Sequence, residues 1–393
     1  MTTIINIFCA CLAALILYTY LLYPILAEML SRLIPKKWTQ DDNYLPTISI
    51  LLPAHNEESV IRQCIHSLLQ LDYPRELVEI IIGSDGSTDN TNNILAAFAK
   101  EHAHIRVLNF HERRGKMLVI NDLAQEGIGE LFFFTDSDIQ LSGNSLKVHA
   151  RHYADNSVGA VAGSYEIVAD QPTGVFTSEE KLVSSEIKLR ENESRIHSTI
   201  GMFGGNYSIR KRLWVPLPDA YVYDDVYVVL SLITRGFRII FEPQSIAVDR
   251  HSRTLEDEFR RKTRSASFGF ATLRYFPELV GFRKGLLSLM LWSHKILRWI
   301  GPWMFLFIGV TIIYNYCSSH DLIWQVFFCF ELLLLIACAI GFISYKSGKS
   351  IPIVRHIFWF CCMQVPFILG TLRFITKSES QAWVQPTRAH VIP

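Results

Sequence analysis

Two aspartates with the spacing D-x-D directly follow an apolar run: in the stretch LFFFTDSDIQ, Asp136 and Asp138 come after four apolar residues. Carboxylate and phosphate oxygens are the ligands that Mg²⁺ and Mn²⁺ prefer. A buried strand that ends in two carboxylates would fix such an ion against a diphosphate, where the ion neutralises charge as the diphosphate leaves. A solvated turn or a helix cap is the alternative, and the pair alone leaves both open.

A third carboxylate, Asp85, ends the apolar run in VEIIIGSDGSTDNT, where Gly86 and Ser87 follow it. A glycine at this point lets the backbone approach a ligand closely. Asp85 is therefore a candidate substrate-binding residue. It could instead cap the next helix, a role that Ser87, Thr88 or Asp89 could fill without it.

The run HERRGK places Arg113, Arg114 and Lys116 around Gly115, ahead of a helical stretch. Guanidinium and ammonium groups in this arrangement suit phosphate contacts. We take Arg113 and Lys116 as candidate substrate-binding residues, with a solvated loop as the alternative.

Two further sets of charged residues lie later in the chain, at 224–225 and 260–264. Asp224 and Asp225 open an apolar helix, where acids are favoured by the helix dipole. The chemical interpretation makes one of them the general base that takes a proton from an attacking hydroxyl. DEFRRKTRSASFGF predicts Arg260, Arg261 and Arg264 on one helical face, as a clamp over a diphosphate or as a contact with anionic lipid.

The elements that must position these residues are apolar strands separated by amphipathic helical stretches. TISILLPAHNE, VEIIIGSD, IRVLNF and ELFFFTDSD are strands of this continuous apolar type. They are typical of an α/β fold with a mostly parallel sheet covered on both faces. Ligands of such folds bind at the carboxyl ends of the strands. Four acids follow their strands at that edge: Glu57, Asp85, Asp136 and Asp138.

Composition narrows the classes of partner. Half of the 393 residues are apolar, and 38 basic residues nearly balance 37 acidic ones. This balance gives no global basic field, so we expect no nucleic-acid partner. The eight cysteines contain no C-x-x-C pair, and seven lie in strongly apolar segments. They are most simply small buried hydrophobes and not a disulfide framework or a zinc site.

Long apolar segments flank the charged region. Residues 1–27 contain no charged residue, which predicts an uncleaved membrane anchor; a signal peptide, the alternative, would have a positive start and a cleavage motif. The predicted domains are an N-terminal transmembrane anchor (1–30), the α/β domain (31–278), an interfacial amphipathic helix (279–299), about three C-terminal spans (300–376) and a polar tail (377–393).

The distribution of basic residues predicts orientation. The link CSSHD lacks Lys and Arg whereas KSGKSIPIVR has three, so the positive-inside bias puts the α/β domain in the cytoplasm. Four full crossings would leave the tail outside, although the tail region contains Arg373, Lys377 and Arg388. A re-entrant last segment, interrupted at Gln364 and Pro366, would remove this conflict. Both arrangements stay open.

The order of the motifs resembles that of the membrane-bound family 2 glycosyltransferases, which include cellulose, chitin, hyaluronan and poly-N-acetylglucosamine synthases. The motifs are ISILLPAHNEE, IIGSDGSTDNT, RRGK, FFFTDSD, FGGNYSIRK, YDDVYVVLSLITRGFR and RRKTR, and they span about 45–276. The resemblance implies a Rossmann-like GT-A fold, a nucleotide-diphosphate sugar donor, Mg²⁺ or Mn²⁺ and inversion at the anomeric carbon.

The resemblance also implies roles for individual residues. Asp85 matches the family's nucleobase- or ribose-binding aspartate, and Asp136 and Asp138 match its D-x-D, with Asp138 as the direct metal ligand. Asp225 matches the catalytic base, with Asp224 before it. The remaining candidate substrate-binding residues are Pro53, Glu57, Gly205, Asn206, Arg261 and Arg264.

Three positions depart from the family pattern. Ser84 stands where many members have an aspartate, and Asp224 replaces the usual glutamate of the base motif. In the Q-x-x-R-W signature of processive synthases, Arg261 stands at the Gln position and Ser265 at the Trp position, whereas Arg264 matches the Arg. In those enzymes the Trp is part of the acceptor site, so its absence argues against processive chain growth.

The sequence therefore predicts a multi-pass inner-membrane protein whose cytoplasmic domain is an inverting glycosyltransferase. We expect a UDP-sugar donor, a glycan or lipid-linked acceptor and contact with membrane lipids. The alternatives are a processive polysaccharide synthase that secretes its product and a catalytically silent partner of another transferase. A transporter is disfavoured because the predicted spans contain a single acid, Glu331.

Overall fold

The structure is a computed structural model that describes residues 2–168, 176–218, 222–250, 255–319, 321–347 and 351–377. Apart from Lys377, the predicted polar tail and its Arg388 lie outside the described residues.

Eight strands form along the described chain, and most coincide with the apolar runs of the sequence. The strands are β1 (Ile48–Ala54), β2 (Val78–Asp85), β3 (Ile105–Phe110), β4 (Leu131–Phe134), β5 (Ile139–Leu141), β6 (Val158–Val168), β7 (Tyr207–Arg210) and β8 (Arg238–Arg250).

The eight strands make one sheet in the order β3-β2-β1-β4-β7-β6-β8-β5. Strands β3, β2, β1 and β4 are parallel neighbours, and β6 pairs in parallel with β8. Strand β7 is antiparallel to both β4 and β6, and β5 is antiparallel to β8. Four of the seven strand pairings among the described residues are thus parallel, which confirms the predicted α/β class.

Helices cover both faces of this sheet and extend beyond it. They are α1 (Thr2–Leu17), α2 (Tyr23–Leu33), α3 (Ile61–Leu69), α4 (Thr91–Glu101), α5 (Lys116–Glu126), α6 (Ser145–Ala150), α7 (Phe176–Ile196), α8 (Asp224–Thr234), α9 (Leu255–Leu273), α10 (Pro277–Val280), α11 (Leu286–Leu291), α12 (Leu297–Ser318), α13 (Leu322–Lys346), α14 (Pro352–Cys362) and α15 (Val365–Thr376).

The strands are apolar at successive positions because each face of the sheet packs against its own layer of helices. On β1, Ile50 and Leu52 belong to a core with α3, α4 and α6, and Leu51 belongs to a second core with α5 and α8. All three side chains are fully buried. A strand buried on both faces needs a continuous apolar run in place of alternation.

The topology brings several chain segments to one edge of the sheet. Strand β2 ends at Asp85, and β4 ends two residues before Asp136. Because β7 is antiparallel to β4, its first residue, Tyr207, pairs with Phe134 at the end of β4. The two rings stack with their centroids 4.5 Å apart. The loop that precedes β7 therefore reaches the same edge as the D-x-D pair.

Four helical segments of the described chain are long and apolar enough to cross a membrane: Thr3–Leu33, Leu286–Ser318, Leu322–Lys346 and Ile353–Thr376. They correspond in position to the four predicted spans. The last one is divided into α14 and α15 at Met363 and Gln364, just ahead of Pro366. Proline lacks the N–H that a continuous helix needs, which explains the division.

The segment predicted as a separate interfacial helix, 279–299, is organised differently. Helix α11 continues through a π-helical turn, Trp292–Ile296, directly into α12. The structure therefore has one helix over Leu286–Ser318 with no boundary at 299. The basic residues in the first part of this segment are typical of an interfacial amphipathic helix, so the sequence pattern does not indicate that the helix is continuous.

Candidate active site

Lys116 lies between two of the candidate acids. Its Nζ is 2.7 Å from Oδ1 of Asp136 and 3.6 Å from Oδ2 of Asp224. Lys116 opens α5, Asp136 follows β4, and Asp224 opens α8. Two neighbouring elements and a third that begins about ninety residues later thus bring one cation and two carboxylates together at the carboxyl edge of the sheet.

The electrostatics of this group follow from its composition. Burial alone would lower the pKa of Lys116, but the carboxylates of Asp136 and Asp224 outweigh it and raise the pKa of Lys116 above its ordinary value. Burial raises the pKa of Asp136, Lys116 opposes that shift, and Asp138 adds to it. The ammonium therefore stays charged and partly neutralises an acidic cluster.

Asp138 and Glu57 lie near the same cluster, since both interact electrostatically with Cys64 as Asp136 does. The thiol of Cys64 donates a weak hydrogen bond to the backbone carbonyl of Asp136, 3.6 Å away. Burial raises the pKa of Cys64, and the charges of Asp138, Asp136 and Glu57 add to the shift. Nothing in the sequence indicates a role for Cys64; in the structure it lies buried next to these acidic residues.

Asp225 is the buried member of the pair that opens α8. Its side chain is 6% exposed, and its Oδ1 accepts a hydrogen bond of 2.7 Å from the backbone N–H of Val226. Burial and the neighbouring Asp224 raise its pKa to about 7, against the opposing attraction of Lys295 and Arg190. A carboxyl group with this pKa can exchange a proton near neutral pH, as a general base must.

The arginines of α9 divide into two kinds. Arg264 lies beside the acids. Burial lowers the pKa of Arg264, and the charges of Asp224 and Tyr223 oppose this shift. Arg261 is exposed and binds Glu258 through Nε and Nη2, at 2.9 and 2.6 Å. Ser265, at the position of the missing Trp, has its Oγ 3.5 Å from the hydroxyl of Tyr223. Of the predicted arginine clamp, Arg264 interacts with Asp224 and Asp136 of the acidic cluster.

Asp85 anchors the basic loop through both carboxylate oxygens. Oδ1 accepts from the backbone N–H of Arg114 at 2.6 Å, and Oδ2 accepts from Gly115 at 2.8 Å. Gly86, at φ +62°, lets this loop pass, since a Cβ there would lie 2.7 Å from the backbone nitrogen of Arg113. Asp85 therefore sets the position at which Lys116 begins α5.

Gly205 and Asn206 precede β7 and do different things. A Cβ at Gly205 would lie 2.8 Å from Cγ1 of Ile139, so only glycine fits beside Asp136. Asn206 is fully buried: its Nδ2 donates to the carbonyls of Ser164 and Ser245, and its Oδ1 accepts from the Ser245 hydroxyl. The structure thus puts Gly205 at the site and commits the Asn206 amide to the domain interior.

Three further candidate residues lie near the carboxyl ends of β1 and β2. Pro53 is half-buried and pairs with Gly83 of β2, beyond the last residue of β1 that pairs with β4. Glu57 is buried, and its backbone N–H donates to Oγ1 of Thr91 at 2.8 Å. Arg113 is exposed on the loop that Asp85 holds.

The donor set fits a divalent cation only if phosphates complete it. Within the described residues, no group of three or more His, Cys, Asp or Glu side chains is placed to hold a metal. Asp136 and Asp138, two residues apart, offer two carboxylates. Mg²⁺ commonly uses one or two carboxylates together with substrate phosphates and water. The arrangement therefore suits an ion that enters with a diphosphate.

Comparison with protein families decides what kind of domain this edge belongs to. The family described as "Glycosyl transferase family 2" matches residues 49–214, from β1 to the end of β7 and just beyond. The chain contains a family 2 glycosyl transferase domain. The predicted resemblance is thereby confirmed.

Two curated relatives of the glycosyl transferase domain share its sequence at low identity. "Probable glycosyltransferase YdaM" of Bacillus subtilis (strain 168) is 27% identical over 244 residues, covering 58% of this chain and 57% of that protein. "Poly-beta-1,6-N-acetyl-D-glucosamine synthase" of Staphylococcus epidermidis (strain ATCC 35984) is 24% identical over 262 residues, covering 64% and 62%. The chain thus spans less than two thirds of the length of either relative.

A solved structure shares the fold almost end to end. It is the mannosyltransferase PcManGT from Pyrobaculum calidifontis, in complex with GDP-Man and Mn²⁺. The TM-score is 0.73 at 20% sequence identity, over 94% of this chain and 99% of that one. The predicted GT-A fold is confirmed, together with helices able to span a membrane.

The family match ends before α8 and α9, so geometry alone joins Asp224, Asp225 and Arg264 to the glycosyl transferase domain. Three neighbours of the cluster were missed by sequence reasoning. Tyr207 is buried, and its hydroxyl has no hydrogen-bond partner in the described part of the chain. The others, Arg190 and Lys295, lie close enough to influence Asp225. A basic residue inside an apolar helix was the one available signal, for Lys295.

Proposed function

We propose that this protein is a membrane-anchored inverting glycosyltransferase that moves a sugar from a nucleotide-diphosphate sugar, in our expectation a UDP-sugar, to a lipid-linked or cell-surface glycan. One observation carries the proposal: Lys116 contacts both Asp136, of the D-x-D pair, and Asp224, which precedes the candidate base. The group that would bind the leaving diphosphate and the group that would activate the acceptor therefore share one site.

The metal belongs to this proposal as Mg²⁺ or Mn²⁺, held by Asp136 and Asp138 with the phosphates of the donor. When bound, the ion supplies positive charge that stabilises the departing diphosphate. Lys116 and Arg264 add two protein cations next to these acids, and they suit the same phosphates.

Asp225 would act on the other substrate. In a single displacement the acceptor oxygen forms a bond to the anomeric carbon as the bond from that carbon to the diphosphate breaks, so the configuration inverts. The acceptor hydroxyl loses its proton to a carboxylate oxygen of Asp225, and the nucleoside diphosphate leaves with the bonding electron pair. The pKa of about 7 suits this step, because Asp225 can both take and release a proton near neutral pH.

The membrane arrangement is also part of the proposal. Four helices of the described chain could span a bilayer. With the distribution of Lys and Arg in the links, this supports an inner-membrane protein whose catalytic domain faces the cytoplasm. A donor made in the cytoplasm would reach the site directly in that orientation.

The test is release of nucleoside diphosphate by membranes that contain the full chain, screened across UDP- and GDP-sugars with Mn²⁺. The variant Asp225→Asn keeps the shape and loses the base, and we expect the rate to fall by about 10²–10⁴. Asp72→Asn is the matched control, since Asp72 is exposed and pairs with Lys147 on the surface. Equal turnover by Asp225→Asn and the control would refute the base assignment.

A processive synthase is the second candidate, supported by the likeness to the Staphylococcus epidermidis synthase. Ser265 at the Trp position counts against it. Product length separates the two: a ladder of polymer lengths supports the synthase, and a single added sugar supports the first proposal.

A further inference from the structure

A buried ionic cluster lies where the α/β domain meets the apolar helices. His294 is fully buried, with Nδ1 2.9 Å from both carboxylate oxygens of Glu193 and Nε2 2.7 Å from Oε1 of Glu186. Glu193 also accepts from the hydroxyl of Tyr23 at 2.6 Å. The cluster, formed by these residues and their cationic neighbours, joins α2, α7 and the helix that begins at Leu286.

Positive charge exceeds negative charge in this cluster. Both ring nitrogens of His294 lie within hydrogen-bond distance of carboxylate oxygens. Among the described residues the cluster has two acids against three Lys and Arg side chains. The acids are Glu186 and Glu193, and the cations are Arg190, Lys295 and Arg298.

Two of these cations each have one buried N–H group without an acceptor among the described residues. Arg190 is 7% exposed, and it donates through Nε to Glu186 at 3.2 Å while its Nη1 is buried with no partner in the described chain. The Nε of Arg298 is also buried and has no hydrogen-bond partner among the described residues. The nearest described acid to Nζ of Lys295 is Glu186, at 3.9 Å, too far for a hydrogen bond. A buried charged donor without an acceptor is costly, so an anion here would be stabilising.

The two least satisfied cations lie beside each other, in the neighbourhood of the candidate base. A Cβ at Gly201 would lie 2.9 Å from Nζ of Lys295 and 3.4 Å from Nε of Arg190, so both groups border the same glycine. Gly201 belongs to the loop that leads to Gly205 beside Asp136. Both cations also act electrostatically on Asp225.

This place is also close to where a membrane surface would lie. The helix Leu286–Ser318 has 33 residues and is therefore ~50 Å long, about 20 Å more than a hydrocarbon core. Its first third, which includes Lys295, can project from the core to the depth of lipid phosphates. The α/β domain packs against this part of the helix through α7.

We propose that Arg190 and Lys295 bind a phosphate group of an anionic, lipid-linked acceptor and so hold its hydroxyl at Asp225. That the ligand is an acceptor rests on the proposed function. That it is anionic rests on the unsatisfied cations. Phosphate attached to a lipid and free phosphate share this chemistry, and the experiment separates them.

The experiment measures binding to the full chain in neutral detergent by the shift in its melting temperature. The probes are dihexanoyl phosphatidic acid, the matching neutral diacylglycerol and inorganic phosphate. We expect phosphatidic acid to stabilise the protein and the neutral lipid not to. Lys295→Met should weaken phosphatidic acid binding about tenfold or more, and Lys295→Arg, which keeps the charge, should restore it.

Lys188→Met is the matched control, because Lys188 lies two residues before Arg190 on α7 but is 63% exposed and pairs with Glu28. It should bind phosphatidic acid as the wild type does. Stabilisation by phosphatidic acid alone supports a lipid-borne phosphate, and stabilisation by inorganic phosphate as well supports an anion site of either source. No stabilisation, or equal loss in Lys188→Met and Lys295→Met, overturns the proposal.

A parallel titration with UDP, GDP and Mn²⁺ keeps this inference separate from the proposed function. Binding of a nucleoside diphosphate without binding of phosphatidic acid refutes the anion site alone. Absence of any nucleoside diphosphate binding refutes the proposed function, whatever the lipid does.

Discussion

Lys116 holds its Nζ 2.7 Å from Oδ1 of Asp136, the first acid of the D-x-D pair. An ammonium group therefore neutralises one of the candidate metal ligands. A divalent cation that binds Asp136 has to compete with it, and the donor's phosphates would give Lys116 a new partner. The same lysine would thus oppose the metal alone and favour the metal together with a nucleotide.

Removing this lysine should separate the two effects. In Lys116→Met we expect Mn²⁺ without nucleotide to bind a few-fold more tightly, because a competing cation is gone. The affinity for UDP or GDP at saturating Mn²⁺ should fall, because a phosphate contact is gone. Calorimetric titration of the full chain measures both. Lys147→Met, at an exposed lysine paired with Asp72, should change neither; weaker metal binding in Lys116→Met would contradict the competition.

The raised pKa of Asp225 predicts the pH dependence of the reaction. A general base works only when deprotonated, and Asp225 loses its proton as the pH rises through about 7. The rate should therefore increase with pH and reach half of its plateau near pH 7. Asp225→Asn should lose this limb together with most of the rate. A profile in the wild type that is flat between about pH 5 and 9 would contradict the assignment.

The same shift predicts a stability effect of opposite direction. The folded-state pKa of about 7 lies above the ordinary value of 3.8, so folding takes up a proton between these pH values. The contribution of Asp225 to stability is greatest at low pH and is lost as the pH rises through about 7. Asp225→Asn does not titrate, so its melting temperature relative to wild type should be higher at pH 8 than at pH 5. Equal differences at both pH values would argue against a buried, proton-binding Asp225.

A variant of Asp85 tests whether the loop of Arg114 and Gly115 depends on its hydrogen bonds to this carboxylate. Asp85→Asn replaces an acceptor oxygen by an NH₂ group, so either Arg114 or Gly115 loses its hydrogen bond. We expect a destabilisation of about 1–3 kcal/mol and a higher KM for the donor, because Lys116 is then less well positioned. Asp42→Asn, at an exposed residue, is the control. A higher KM with unchanged melting temperature would instead support direct contact between Asp85 and the nucleotide.

The parts that the sequence predicted well are those governed by local pattern. Apolar runs of strand length predicted β1, β2 and β4, and the residues that follow such strands must lie at one edge of a parallel sheet. That reasoning was enough to bring Asp85 and Asp136 to the same edge. It could not give the contact from Lys116 to Asp224, because that contact joins the first residues of α5 and α8, which are more than a hundred residues apart in sequence.

Long-range packing also explains the missed cations. Glu193 and His294 are 101 residues apart in sequence, and neither has a neighbour that signals the pair. Lys295 looked like a residue of an interfacial helix because only its own helix was visible. Its position beside Arg190 appears once α7 packs against that helix.

Asn206 provides the sharpest contrast between a motif and its structural context. The motif FGGNYSIRK made it a candidate for substrate binding. Its side-chain amide, however, forms hydrogen bonds with Ser164 and Ser245 inside the domain. Asn206→Ala leaves both carbonyls without their donor, and we expect a loss of about 2–3 kcal/mol of stability, measured by thermal or denaturant unfolding of the full chain. Asn206→Asp, which keeps the volume but loses both N–H donors, should be at least as unstable. If either variant keeps its stability and raises the KM for the donor, the amide must reach the substrate, and its structural role would be refuted.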